Sequence, residues 1–160
     1  MSRKHLLLIR HAKTLQALPG ERDFDRELAA KGERQCGIMR DWLNGQLPAG
    51  HWQVLCSPAQ RTRQTWEQCQ PQPMHGTVRH VELIYGGSRG DLCALLTEQF
   101  ATQDRLVVVG HNPVISELLF MLAADSAEAR QGFGTGDMAL LHSSHGDVYQ
   151  DWQLDWLYRP

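Results

Sequence analysis

The chain opens on a short apolar run, "HLLLI" (5–9), and two more of the same kind follow, "QVLC" (53–56) and "RLVVV" (105–109). Runs this short, β-branched in part, predict strands covered on both faces. Between them the apolar residues recur at helical spacing. From Leu28 to Leu43, the residues Cys36, Met39 and Leu43 fall on one face and Arg34, Arg40 and Asp41 elsewhere. "SPAQRTRQTWEQC" (57–69) predicts a helix with Ser57 as N-cap and Pro58 at its first position. "NPVISELLFMLA" (112–123) repeats that grammar with Asn112 and Pro113, and "GDLCALLTEQF" (90–100) predicts a helix capped by Asp91. A weak strand precedes the last of these, with Glu82 in "HVELIYGG" at its end. "MALLHS" (138–143) and "VYQDWQLDWL" (148–157), in which Trp152, Leu154 and Trp156 alternate, predict a terminal hairpin.

Strands alternating with helices imply a largely parallel sheet with helices on both faces, a three-layer α/β/α sandwich. No internal repeat or low-complexity linker divides the chain, so residues 1–160 are expected to form a single domain. The loop "LPGERDFDR" (18–26) is long and charged, and "EARQGFGTGD" (128–137) is rich in glycine.

Composition narrows the function classes. Apolar residues at 42% and charged residues at 21% fit a soluble globular protein, and a net charge of −2 argues against a general nucleic-acid binder. "LLLI" meets Arg10 at once, too soon for a signal peptide, and no run approaches a membrane span. Cys36, Cys56, Cys69 and Cys93 form no C-x-x-C pair, as expected of reduced thiols in a cytoplasmic protein.

The chemistry lies just past the strands. Arg10 and His11 follow the first strand, Arg61 lies one turn into the helix after the second, and His111 follows the third. In a parallel sheet these side chains converge on the carboxyl edge, where open α/β sheets bind ligands. Helices starting after Ser57 and Asn112 would turn their positive ends to the same place. Arginine offers a planar fork for phosphate oxygens, and histidine can act as nucleophile, proton carrier or clamp. The site is therefore built for an anion with several oxygens, and phosphate is the obvious candidate. Arg63, two residues beyond Arg61, is rotated by roughly 200° on a helix and should face away. His142 and His145 read as residues of an exposed hairpin turn, and the five tryptophans as core and sheet-edge packing.

"LLLIRHAKT", "SPAQRTRQT" and "VVVGHNP" together resemble the histidine phosphatase superfamily, with its phosphoglycerate-mutase-like fold. The short chain and "FDRELAAKGERQ", similar to the family's R-x-L-x-x-x-G segment, resemble the small SixA-type phosphohistidine phosphatases. The resemblance implies that His11 is the nucleophile, and that Arg10, Arg61 and His111 bind and polarise the phosphoryl oxygens. It implies a further phosphate contact at Arg26, although "DFDRE" also reads as a web of exposed ion pairs. Asn112 is a further candidate for substrate binding. Glu82 is the match for the proton donor of larger relatives, or else a surface glutamate. Ala12 stands where the family usually has glycine, and Thr62 where alanine is common.

The expected activity is a metal-independent phosphatase with no cofactor, working through a covalent phosphohistidine. Only about forty residues separate Gln64 from the "RLVVV" strand, which leaves little for a lid. That favours a phosphorylated protein bearing phosphohistidine as partner. The alternatives are a phosphomonoesterase for a small phosphorylated substrate and a non-catalytic phosphate-recognising module.

Overall fold

The apolar runs are buried on both faces, and the alternate facing of their side chains sets the layers. The computed structural model describes residues 2–72 and 75–160. Its strands are β1 (Lys4–Arg10), β2 (Trp52–Cys56), β3 (Gly76–His80), β4 (Arg105–Gly110), β5 (Met138–Ser143) and β6 (Gln153–Tyr158). Its helices are α1 (Ala30–Gln46), α2 (Gln60–Cys69), α3 (Glu82–Gly86), α4 (Arg89–Phe100) and α5 (Val114–Leu122). The six strands form one sheet in the order β3-β2-β4-β1-β5-β6. The first four in that order are mutually parallel, and β5 and β6 close one edge as an antiparallel hairpin.

Successive residues of a strand point to opposite faces. Leu6, Leu8, Leu55, Leu106 and Val108 accordingly pack with Leu92, Leu96, Ile115 and Leu118 of α4 and α5. Leu7, Ile9, Val54, Val107 and Val109 pack with Met39, Leu43 and Trp66 of α1 and α2. Two cores on either side of one sheet make the α/β/α sandwich read from the alternation of elements. Each fully buried leucine or isoleucine contributes about 1.5–3 kcal/mol by leaving water.

Several local expectations need correction. Helix α4 is capped by Ser88, not Asp91: the Ser88 hydroxyl accepts from the Asp91 amide while the Asp91 carboxylate accepts from the Ser88 amide, a reciprocal capping box. Helix α2 starts at Gln60, so Ser57 and Pro58 lie before it and Ser57 is free for another task. Helix α5 starts at Val114, after Pro113. The weak strand lies earlier than expected, at Gly76–His80, and Glu82 opens α3. Residues 148–152 stand outside β6, and His142 belongs to β5 rather than to a turn, with its Nδ1 2.7 Å from Asp155 Oδ1. His145 is exposed in the connection that follows. The four cysteines are free and buried, and Trp52, Trp66 and Trp152 lie in the core.

One glycine is demanded by close approach. A Cβ on Gly32, in the first turn of α1, would sit 2.1 Å from the carbonyl oxygen of Lys13. The same carbonyl accepts the Ala29 amide, and Thr14 bridges to Leu28. Gly32 thus lets the chain leaving His11 lie directly on the start of α1, and so closes loop 15–27 over the carboxyl edge of the sheet.

Candidate active site

Strand register brings the chain exits together. Arg10 pairs with Gly110, and Cys56 with Val109. Beyond those pairs the ladder continues for one more bond on each side: the His11 amide donates to Gly110 and the Ser57 amide to Val109. Arg10, His11, Ser57 and His111 therefore stand level with one another. The strand ends between Arg10 and His11, whose carbonyls both receive the Gly136 amide. That exit explains how two adjacent side chains serve one site.

His11 is only 6% exposed, and its Nδ1 lies 2.8 Å from the carbonyl oxygen of Ala12. A carbonyl can only accept, so Nδ1 carries the proton and Nε2 is left with its lone pair. Burial pushes the His11 pKa down to about 4, against the pull of the Ala12 bond, and the charges of Arg61, Arg10 and Arg26 push the same way. The ring is neutral near pH 7. Ala12 is itself fully buried, with its amide donating to Thr65 Oγ1 of α2.

His111 stands 5.3 Å from His11, ring centre to ring centre, with Nε2 2.7 Å from the Ser57 hydroxyl. Its pKa is driven down to about 3, chiefly by burial and then by Arg61 and His11. Arg10 donates through Nη1 to the Phe133 carbonyl. The buried Asp137 pins that segment by accepting from the Gly134 amide and from Arg159.

Arg61 is 6% exposed and is held by a residue that the sequence reading did not single out. Its Nη1 donates to the Asp23 carbonyl and its Nη2 to Asp23 Oδ2, at 2.7 and 2.9 Å. Asp23 also accepts from the Tyr85 hydroxyl and lies 3.1 Å from Arg26 Nε. Its exposed carboxylate is penalised by partial desolvation, but Arg61, Tyr85 and Arg26 hold it below the usual range. Tyr85, also unforeseen, sets its ring edge-on to His111 at 5.6 Å. The available signals were weak: Asp23 sits one turn before Arg26, and Tyr85 three residues after Glu82.

The cluster contains three buried nitrogens with neither a hydrogen-bond nor an ion-pair partner, Arg10 Nε, Arg61 Nε and His111 Nδ1, whereas Arg26 Nε is engaged by the Asp23 carboxylate. Buried donors are rarely left unpaired, and each costs about 1–3 kcal/mol. Five more occur elsewhere, on His5, Trp42, Trp66, Arg105 and Trp156, but the three at the carboxyl edge belong to side chains of one cluster.

The remaining candidates fall at the margin. Glu82 is exposed, on the same side of α3 as Tyr85 by its three-residue spacing. Asn112 has both ends of its amide engaged, with Phe133 O and the Ser116 hydroxyl, and so braces the segment that holds Arg10. Arg63 is exposed, as its position on α2 requires. Among the described residues no group of three or more His, Cys, Asp or Glu side chains could hold a metal ion, and no helix is long and apolar enough to cross a membrane.

Fold and site together define an α/β protein with a cluster of arginine and histidine side chains at the carboxyl edge of its sheet. The model of the histidine phosphatase superfamily (branch 1) matches residues 6–91. An uncharacterized Mycobacterium tuberculosis protein, Rv1276c, is 36% identical over 141 residues, 83% of this chain and 85% of that one. A structure from Nakamurella multipartitia, provisionally assigned as the phosphohistidine phosphatase SixA, superposes with a TM-score of 0.84 at 31% identity, over 100% of this chain and 98% of the other. The Agrobacterium tumefaciens protein with the same provisional assignment gives 0.82 at 28%, over 98% of each. The chain belongs to the histidine phosphatase superfamily, and its fold is that of the small SixA-like structures. Membership supports phosphatase chemistry.

Proposed function

We propose that the protein is a metal-independent phosphatase that forms a covalent phosphohistidine on His11 and acts on protein phosphohistidine. The observation that carries this reading is the set of three unpartnered nitrogens, on Arg10, Arg61 and His111, beside a neutral imidazole whose free lone pair is on Nε2. Nε2 of His11 attacks phosphorus in line, forming a P–N bond as the bond to the leaving group breaks. Arg10, Arg61 and His111 receive the equatorial oxygens, whose charge grows in the transition state, and Arg26 adds a further contact to the bound phosphate. Water then attacks phosphorus, the P–Nε2 bond breaks, and inorganic phosphate leaves with His11 neutral again.

Substrate class follows from access and from the leaving group. The segment from Gln64 to Arg105 includes the rest of α2 together with β3, α3 and α4, which leaves no long insertion to cover the site. An open site suits a phosphoryl group presented on a protein surface. A phosphoimidazole protonated on its other ring nitrogen departs as neutral imidazole, so it needs little from a proton donor as exposed as Glu82. An alkoxide would need more.

The test is to offer the protein a phosphohistidine-bearing phosphocarrier protein and a panel of phosphate esters, with chelator present. Loss of phosphate from the carrier with the esters untouched supports the proposal. Faster turnover of an ester establishes a small-metabolite phosphomonoesterase, and binding of phosphate with no turnover of either establishes a recognition module.

A further inference from the structure

The hydroxyl of Ser57, fully buried at the carboxyl edge of β2, has two neighbours: it receives the Ala59 amide at 3.3 Å and lies 2.7 Å from His111 Nε2. A hydroxyl carries one proton and two lone pairs. The amide occupies a lone pair, and among the described residues no acceptor besides His111 lies within hydrogen-bond distance of the hydroxyl. The Ser57 carbonyl faces other donors, the Cys56 thiol and the Thr62 hydroxyl that it shares with the Ala59 carbonyl. Among the described residues that leaves His111 Nε2 as the acceptor for this proton, and it accepts only when it carries no proton itself.

We propose that Ser57 is a positioning residue that holds His111 in the tautomer with its proton on Nδ1, so that the ring meets the phosphoryl group as a neutral N–H donor. This rests on reading the cluster as a phosphoryl pocket. Nδ1 is the ring atom buried without a protein partner, so a proton there is free to be donated to a bound phosphoryl oxygen. The burial and neighbouring arginines that disfavour a cationic His111 act in the same sense. The two histidines then share one tautomer and present opposite ends of it. His11, anchored by the Ala12 carbonyl, offers a lone pair, whereas His111, anchored by a hydroxyl donor, offers an N–H. Nucleophile and clamp are distinguished by what lies behind each ring.

The experiment reads the tautomer directly, by nitrogen-15 NMR of the histidine side chains in the substrate-free protein near pH 7. Wild type should show His111 with a pyrrole-like Nδ1 and a pyridine-like Nε2. Ser57→Ala should shift the ring toward Nε2–H and weaken binding of inorganic phosphate about tenfold, the equivalent of one hydrogen bond. Ser57→Thr should restore both. A wild-type His111 protonated on Nε2 overturns the proposal, as does an alanine variant with unchanged tautomer and phosphate affinity. If the alanine variant does not fold, the wild-type spectrum decides. Because that spectrum needs no substrate, the tautomer can hold in a protein that hydrolyses nothing, which separates failure of this inference from failure of the phosphatase reading.

Discussion

The two sides of the pocket are built by different means. Arg10, His11, Ser57 and His111 sit on the ends of β1, β2 and β4, where ladder bonds fix every Cα. Arg26 and Asp23 sit in and beside a one-turn 3-10 helix, Asp23–Asp25, with no buried residue of its own. That turn is held through Arg61, Tyr85 and the approach of Gly32 to Lys13. The strand side is rigid because the sheet is. The loop side is held largely by one exposed carboxylate, among the described residues the only acidic group paired with the arginines proposed to bind the phosphoryl group. An incoming phosphoryl group must share those arginines with Asp23, so substrate binding should depend on the loop side and chemistry on the strand side.

Substitutions can break this contrast in order of expected effect. His11→Ala should abolish turnover while phosphate or vanadate still binds weakly through the arginines, as read by steady-state kinetics and calorimetry. Arg61→Ala, which touches both sides, should lower kcat/KM by about 10²–10³-fold for any substrate, the usual cost of a preorganised transition-state donor. Asp23→Asn should act mainly on KM and leave kcat within a few-fold. A fall in kcat as large as that of Arg61→Ala would show that the loop side is part of the chemistry. Glu82→Gln should cost no more than a few-fold with phosphohistidine but about 10²–10⁴-fold with an ester. Comparing both substrates in one variant removes any folding defect from the comparison. Excess EDTA should have the smallest effect, leaving the rate unchanged, and abolition with rescue by one divalent ion would contradict the mechanism.

Acid stability sharpens the same contrast. His11 and His111 titrate near 4 and 3 in the fold, below the ordinary histidine value of 6.5. Between those values the unfolded chain binds protons that the fold refuses, so stability falls as pH drops through 6.5 and the loss saturates once the folded pKa is passed. By pH 5 it should reach about 1–2 kcal/mol for each ring. Urea unfolding at pH 7 and pH 5, in wild type and His11→Phe, measures the share of the first. An equal pH dependence in the two proteins would mean that His11 is not held neutral.

The contrast also governs what could be read from the chain. A parallel sheet carries its register in short apolar runs, so the convergence of Arg10, His11, Arg61 and His111 is legible in the sequence. Ser57 was legible only as a helix cap, because cap and hydroxyl donor share one residue type and only the later start of α2 frees it. Asp23 and Tyr85 were hidden for a different reason. Their meeting at 3.1 Å spans 62 residues and follows no period. Glu82 was placed on a strand because "VELIY" is apolar enough for one, whereas the Gly87 amide closes on the Leu83 carbonyl as a helix end.

The central claim is that phosphate passes through His11, and the most direct measurement is to trap it. The protein should be mixed briefly with phosphorus-32-labelled phosphohistidine protein, quenched without acid, digested and mapped. The account predicts acid-labile label on the peptide carrying His11, on Nε2 rather than Nδ1, with none in His11→Ala. Label on His111, or full turnover in His11→Ala, would contradict it.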